Sequence, residues 1–167
     1  MSRTISLDAR KSVYAEQTGE VWVFLITITH EDLVDPMLFS SDPTERLSDD
    51  PLQYGTVSRG NAYAYLPMTV TLPDDSDGTA PTIKLGLDNV LRDTVPLLRS
   101  VSTPPSVTAE MVLASSPDTV EASFPAFDLI DVNYDSGMVN ADLTVDALST
   151  EPYPADTFTP SGFGGLF

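Results

Sequence analysis

An acidic loop between two alternating stretches is the first place where this sequence could carry chemistry. Residues 73–79, PDDSDGT, hold three aspartates, and clustered carboxylates can bind calcium or act as acid and base. An EF-hand calcium loop needs oxygen ligands at its first and twelfth positions and glycine at its sixth. With Gly78 at the sixth position, Pro73 and Lys84 occupy the two anchoring positions, and neither supplies an oxygen ligand from its side chain. We therefore expect residues 73–79 to be an exposed hairpin tip without a specific metal.

Side chains that perform catalysis are sparse elsewhere. His30 is the only histidine, so a Ser-His-Asp triad would depend on it, and its place at a strand end favours a solvated side chain. Residues 135–137, Asp-Ser-Gly, resemble an aspartic-protease loop, but that chemistry needs two such loops and no second copy exists. Nothing selects a glycosidase pair among the 25 acidic residues. We expect no enzymatic activity and no catalytic residue.

Cysteine and glycine patterns exclude further kinds of site. The chain has no cysteine, which excludes disulfides, zinc-thiolate sites and iron–sulfur ligation by thiolates. Gly162, Gly164 and Gly165 lie in a terminal segment, with neither a strand before them nor a helix after them. They therefore do not form a nucleotide-binding loop. We expect no cofactor-binding and no metal-ligating residue.

Charge is distributed unevenly along the chain. The formal net charge is -17, all eight Lys and Arg residues lie at or before Arg99, and residues 100–167 carry ten acidic side chains and no basic one. Such a surface repels phosphate, so we expect no specific nucleic-acid binding. The acidity either provides solubility, or the acidic half faces a basic partner or lines a passage for polyanionic cargo. No apolar run approaches the roughly 20 residues of a membrane span, and residues 1–17 lack the apolar stretch of a signal peptide.

The first half of the chain predicts a helix followed by strands. Residues 4–17 have a weak helical pattern that Thr4 or Ser6 can cap. Residues 21–30, VWVFLITITH, place apolar side chains at both parities, which predicts a central strand covered on both faces near its start. The polar residues 41–60 show no period and predict a long loop. Further alternating stretches predict strands at 36–40, 62–72 and 82–87, and a helix broken by Pro96 is predicted at 89–101.

The second half is nearly pure alternation until its last residues. It predicts strands at 107–114, 120–124, 126–134 and 138–145. The fold class is therefore mainly β, a β-sandwich or split barrel with one or two short helices in residues 1–150. Residues 151–167, EPYPADTFTPSGFGGLF, are too apolar for a solvated linker and predict an extended docking arm. The predicted interface residues of the arm are Tyr153, Phe158, Phe163, Leu166 and Phe167.

Three stretches taken together resemble a known family. They are VWVFLITITHEDLVDP, AYLPMTVTLPDDSDGTAPTIKLGLDNV and EPYPADTFTPSGFGGLF. In this order and spacing they resemble siphophage minor tail proteins that are described only as a domain of unknown function. The chain is also distantly similar to the N-terminal part of lambda-type minor tail protein L. That protein carries an iron–sulfur cluster near its C-terminal end, and the lack of cysteine here means that this feature is not carried over.

The resemblance implies a structural role at the distal end of a long non-contractile phage tail. It implies a ring around the DNA channel, in the tail tip, hub or baseplate of the virion, after synthesis in the host cytoplasm. By analogy with a tail tube we favour a sixfold ring, and a threefold ring is the alternative if the protein belongs with the hub. The implied partners are further copies of the chain, the neighbouring tail-tube, distal-tail and hub proteins, and the tape measure. Two other classes stay open at this point. They are a tail-associated glycan-binding module and a hydrolase of peptidoglycan or polysaccharide.

Overall fold

One short helix and ten strands make up the regular structure of the described residues, which are 5–72, 82–88, 103–134 and 138–144 of this computed structural model. The helix is α1 (Leu7–Tyr14). The strands are β1 (Trp22–Thr29), β2 (Met37–Ser40), β3 (Glu45–Asp49), β4 (Leu52–Ser58), β5 (Asn61–Tyr65), β6 (Met68–Thr71), β7 (Thr82–Asp88), β8 (Ser106–Leu113), β9 (Ser116–Tyr134) and β10 (Met138–Thr144).

All ten strands belong to a single curled sheet. Their order across the sheet is β3-β4-β5-β2-β1-β8-β9-β10-β7-β6. Neighbouring strands are antiparallel except for β2 and β5, which are parallel. The curl gives an open half-barrel, so the predicted mainly β fold with a short helix is confirmed.

The strand β1 lies at the centre of the sheet, as its sequence predicted. It pairs with β2 on one side and along its full length with β8 on the other. Leu25 and Ile26 are both fully buried although they point to opposite faces. Both faces of β1 are covered, and this explains why its odd and its even positions both carry apolar residues.

Two hydrophobic clusters lie on these opposite faces of β1. The larger cluster contains Ile26, Ile28, Phe39, Leu66, Ile83, Leu85, Leu87, Val107, Ala109, Phe127, Leu129, Val139, Ala141 and Leu143. The smaller cluster contains Val23, Leu25, Tyr63 and Val112, with Leu38 and Val120 packed against it. The strands β4 and β5 cover the smaller cluster, whereas β6, β7, β9 and β10 surround the larger one.

The prediction of a long loop at residues 41–60 is wrong. The strands β3 and β4 occupy this stretch as an antiparallel hairpin with a β-bulge between Arg46 and Ser48. The hairpin lies at the edge of the sheet, and the first three residues of β4 are exposed one after the other. The part of β4 that is exposed on both faces has no need to alternate polar and apolar side chains, and its buried part holds Gly55, Thr56 and Ser58, so the sequence shows no period.

Two strand boundaries also differ from the prediction. Residues 62–72 form β5 and β6 instead of one strand, separated at Leu66, whose N–H donates to the Ser40 carbonyl oxygen at 2.9 Å. The stretches 120–124 and 126–134 belong to one long strand, β9. Two residues of β9, 125 and 126, oppose one residue of β8, which is a β-bulge. A bulge accommodates the backbone of Pro125 because proline cannot donate a ladder hydrogen bond.

The helix α1 is shorter than its predicted range of 4–17 but is capped as expected. The Ser6 hydroxyl oxygen accepts the backbone N–H of Ala9 at 3.1 Å. Strands β6 and β7 pair as the two arms of the predicted hairpin, from Met68 opposite Leu87 to Thr71 opposite Lys84. Its predicted tip at 73–79 lies outside the described residues, as do the predicted helix at 89–101 and the arm at 151–167.

Candidate functional site

The outward face of α1 is the most unusual surface among the described residues. The helix buries only two small side chains, Ala9 and Ser12, against the body of the protein. Its large apolar side chains point to solvent, with Leu7 at 72%, Val13 at 61% and Tyr14 at 88% exposure. An amphipathic surface helix normally turns its large apolar residues towards the core. The opposite arrangement in α1 leaves an apolar surface that is suited to contact another molecule.

Basic side chains accompany this apolar surface. Arg10 and Lys11 are exposed on α1, and Lys11 Nζ lies 3.1 Å from the Asp8 carboxylate. These are two of only eight basic residues in a chain of net charge -17. We call the set Leu7, Arg10, Lys11, Val13 and Tyr14 the α1 outward face. It can bind a partner that offers apolar contact together with negative charge.

A buried carboxylate attaches α1 to the sheet. Glu121 lies on β9 at a bulge, opposite the step from Met111 to Val112 on β8, and it is 4% exposed. Its Oε2 atom accepts the backbone N–H of the capping residue Ser6 at 2.7 Å. The positive end of the helix dipole favours a carboxylate at this position. Because Ser6 caps α1 and also bonds to Glu121, the start of the helix is fixed over β9.

The loop that follows β1 is acidic and carries an exposed valine. We call residues 31–35, Glu-Asp-Leu-Val-Asp, the acidic loop. A turn begins it, since the Leu33 N–H donates to the His30 carbonyl oxygen at 3.1 Å. Glu31, Asp32 and Asp35 are exposed, and Val34 is 98% exposed. The acidic loop therefore presents one apolar side chain surrounded by carboxylates.

His30 holds the base of the acidic loop, and the expectation of a solvated histidine is wrong. Its side chain is only 4% exposed. Nδ1 accepts the backbone N–H of Asp32 at 3.0 Å, so Nε2 carries the proton and donates to Thr103 Oγ1 at 2.7 Å. Thr103 is 73 residues away in the sequence, which is why local pattern did not reveal the burial. Both ring nitrogens have hydrogen-bond partners, so His30 links the start of the acidic loop to the segment that precedes β8.

Hydrogen bonds join the turn between β4 and β5 to the start of β9. Arg59 and Gly60 form the turn with positive φ angles of 50° and 79°. The Arg59 N–H donates to Asp118 Oδ1 at 2.5 Å, and the Ser58 hydroxyl donates to the Pro117 carbonyl oxygen at 2.7 Å. The turn therefore reaches the start of β9, and it closes the sheet over the smaller hydrophobic cluster.

An ion pair reinforces this closure. The Arg59 guanidinium donates to both carboxylate oxygens of Glu110 on β8, with Nη1 to Oε1 at 3.2 Å and Nη2 to Oε2. This hydrogen bonding raises the pKa of Arg59 above its usual value. The Glu110 side chain is 14% exposed and that of Arg59 is 40% exposed. The pair is two-pronged and partly shielded from water, the geometry in which arginine holds a carboxylate most firmly.

The described residues contain no group of three or more His, Cys, Asp or Glu side chains that could hold a metal ion. Within the same part of the chain, none of the helical structure is long and apolar enough to cross a membrane. The Asp-Ser-Gly stretch at 135–137 and the five predicted interface residues Tyr153, Phe158, Phe163, Leu166 and Phe167 lie outside the described residues.

Comparison with known proteins gives a family. The sequence profile of a domain of unknown function, DUF1833, matches residues 8–158. The chain belongs to the DUF1833 family. The match runs from the first turn of α1 through β10 and ends within the predicted arm at Phe158. It therefore includes the α1 outward face, apart from Leu7, and the acidic loop of this DUF1833 protein. No curated protein matches the sequence.

Proposed function

We propose that this DUF1833 protein is a structural minor tail protein of a long-tailed phage. In this proposal it forms a ring at the distal tail, in the tail tip, hub or baseplate, and the ring surrounds the DNA channel. It makes contact there with further copies of itself and with the tail-tube, distal-tail and hub proteins, and with the tape measure as a further neighbour.

The observation that carries the proposal is the resemblance of three stretches, in order and spacing, to siphophage minor tail proteins. The family match over residues 8–158 supports it, because it spans the first two stretches and part of the third. The α1 outward face supports an assembling protein, since an exposed apolar surface of this kind suits contact with other subunits. A ring is the closed form of a repeated contact between identical subunits, and a tail tube offers a sixfold platform by analogy.

The charge of the chain suits a position at a DNA channel. Residues 100–167 carry ten acidic side chains and no basic one. An acidic wall repels the phosphate backbone and lets DNA pass without binding, because like charges raise the energy of close approach.

The arm at residues 151–167 is proposed to clamp neighbouring subunits or rings together. Its aromatic side chains are costly to leave in water, and three prolines in the segment reduce the entropy lost when it is ordered. Burial of one phenylalanine contributes a few kcal/mol, at about 25 cal/mol per Å² of apolar surface.

Assembly of the purified chain tests the proposal. Mass photometry and negative-stain microscopy are expected to show closed rings, at six times the 18.0 kDa mass of the chain. A chain that ends after residue 150 is expected to keep its melting temperature but to lose its place in assembled tails. Cleavage of peptidoglycan or polysaccharide by the purified protein would contradict the structural role. A tail reconstruction with single copies on the outside of the tail would contradict the ring.

A further inference from the structure

The α1 outward face and the acidic loop lie at opposite ends of the central strand. Glu121, which holds the start of α1, is next to Val120, and Val120 pairs through Val112 with Val23 at the start of β1. The acidic loop begins two residues after Thr29, the last residue of β1. An eight-residue strand spans about 26 Å, so the two surfaces of one molecule are too far apart to touch.

The two surfaces are complementary in charge. The helix α1 carries Arg10 and Lys11 against one acidic residue, Asp8, which pairs with Lys11 at 3.1 Å. The acidic loop carries Glu31, Asp32 and Asp35 and no basic residue. Both sets are exposed at the protein surface. Opposite charges of this kind steer two surfaces together and fix their register, and like charges in the same place oppose contact.

The two surfaces are also complementary in apolar contact. Leu7 and Tyr14 project from α1, and the 98% exposed Val34 projects from the acidic loop. The buried His30 ring, bonded to Asp32 and Thr103, fixes the start of the loop, while the Ser6–Glu121 contact fixes the start of α1. Contact between two preorganised surfaces loses less entropy than contact between flexible ones.

We propose that the α1 outward face of one molecule docks on the acidic loop of a second copy of this chain. The two surfaces that meet are different, so the contact is head-to-tail and every copy offers one surface of each kind to its neighbours. Such a contact repeats until rotation closes it into a ring. The inference deepens the proposed function and rests on its assumption that copies of the chain contact one another, but it assigns the contact to named surfaces.

Charge reversal on each surface tests the contact. One variant of the full chain, R10E/K11E, makes the helix acidic, and a second, E31K/D35K, makes the loop basic. Each is expected to weaken self-association about tenfold or more, measured by sedimentation velocity or mass photometry at low salt. R46E/K84E is the matched control for R10E/K11E, because it makes the same change in net charge at two exposed positions on β3 and β7, and it is expected to lose far less association than R10E/K11E. E31K/D35K lowers the overall negative charge, so weaker association in that variant cannot come from general repulsion.

Mixing the two variants is the decisive measurement. In the mixture the acidic helix of one variant meets the basic loop of the other, and the basic helix of the second meets the acidic loop of the first. Association is therefore expected to return in the mixture, with alternating subunits, although each variant alone associates weakly. A third variant, Y14S, removes apolar contact without a change in charge and is expected to weaken association while leaving the melting temperature unchanged.

Three results would overturn the inference. They are a chain that stays monomeric at tens of micromolar, variants that associate as well as the original chain, and a mixture that fails to recover. Failure of the inference and failure of the proposed function are distinguishable. Rings that persist in both charge variants refute these contact surfaces and leave the proposed ring intact. Variants that behave as expected, in a chain that is missing from tail particles, support the contact and refute the tail function.

Discussion

The two hydrophobic clusters on opposite faces of β1 are held together by different kinds of interaction. The larger cluster is built from fourteen buried apolar residues contributed by six strands and a connecting segment. The smaller cluster has four, and polar contacts surround it, including the Ser40 to Thr56 hydroxyl hydrogen bond at 2.8 Å and the Arg59–Glu110 ion pair. Apolar burial is non-directional, whereas hydrogen bonds and ion pairs depend on geometry. The larger cluster therefore supplies most of the stability, and the polar contacts position β4 and β5.

Adjacent residues of β1 give the strongest test of this difference. Leu25 and Ile26 are both fully buried, but Leu25 points into the smaller cluster and Ile26 into the larger one. We expect Ile26→Ala to lower the free energy of unfolding by about 3–5 kcal/mol, because it leaves a cavity in a closely packed apolar region. We expect Leu25→Ala to cost about 2–3 kcal/mol. Urea denaturation of the two variants measures both values, and the reverse order would refute the assignment of stability to the larger cluster.

The close approach of β4 and β5 over the smaller cluster gives the second test. A Cβ atom at Gly55 would lie 1.9 Å from the backbone oxygen of Tyr63 and 2.8 Å from Leu47 Cδ1. The backbone oxygen cannot move without disturbing the pairing of β4 with β5. We expect Gly55→Ala to destabilise the protein by about 1–3 kcal/mol, measured as a shift in the urea midpoint.

Gly19 provides the matched control for this substitution. A Cβ atom at Gly19 would meet nothing within 4 Å. Gly19→Ala is expected to change the free energy of unfolding by less than about 0.5 kcal/mol. If the two substitutions change the free energy of unfolding equally, the backbones of β4 and β5 lie farther apart at Gly55 than in this structure.

The Arg59–Glu110 ion pair gives the smallest expected effect. Arg59→Met leaves the Glu110 carboxylate, which is 14% exposed, without this arginine. We expect a loss of about 1 kcal/mol, since the guanidinium is 40% exposed and solvent screens part of the interaction. The loss is expected to shrink in high salt.

Arg46 provides the comparison that shows whether shielding from solvent determines the stability lost in Arg59→Met. Arg46 lies 2.5 Å from Asp49 on β3, but their side chains are 56% and 81% exposed. Arg46→Met is expected to cost less than about 0.5 kcal/mol in the same denaturation experiment. If Arg46→Met costs as much as Arg59→Met, shielding from solvent does not make the Arg59–Glu110 pair stronger than an exposed pair.

The sequence predicted the elements that depend on the order of neighbouring residues, such as the alternation along a strand or the cap of a helix. The central position of β1 follows from apolar residues at both parities, and the helix start follows from Ser6. The hairpin at residues 41–60 was not predictable, because the first part of β4 is exposed at successive positions and its buried part carries Gly55, Thr56 and Ser58 instead of alternating large apolar residues. The polar contacts around the smaller cluster join residues far apart in sequence, such as Arg59 and Glu110, which are 51 residues apart.

The candidate interaction surface illustrates a different limit of sequence patterns. Ile5, Leu7, Val13 and Tyr14 define the helical pattern of residues 4–17, and such a pattern usually marks the side that faces the core. The structure instead packs Ala9 and Ser12 against the protein. Periodicity reveals that a helix has two unlike sides, but only the surrounding structure reveals which side is covered.

The pairing of β1 with β8 has a consequence for synthesis on the ribosome. Thr29 at the end of β1 lies opposite Ser106 on β8, 77 residues later in the chain. During translation β1 is therefore complete long before the partner that covers one of its edges emerges. One row of its backbone hydrogen-bonding groups and the parts of its faces that β8, β9 and β10 cover stay without their native partners in that interval, a state in which strands tend to aggregate. We therefore expect aggregation during synthesis to be most sensitive to delays between the appearance of β1 and that of β8.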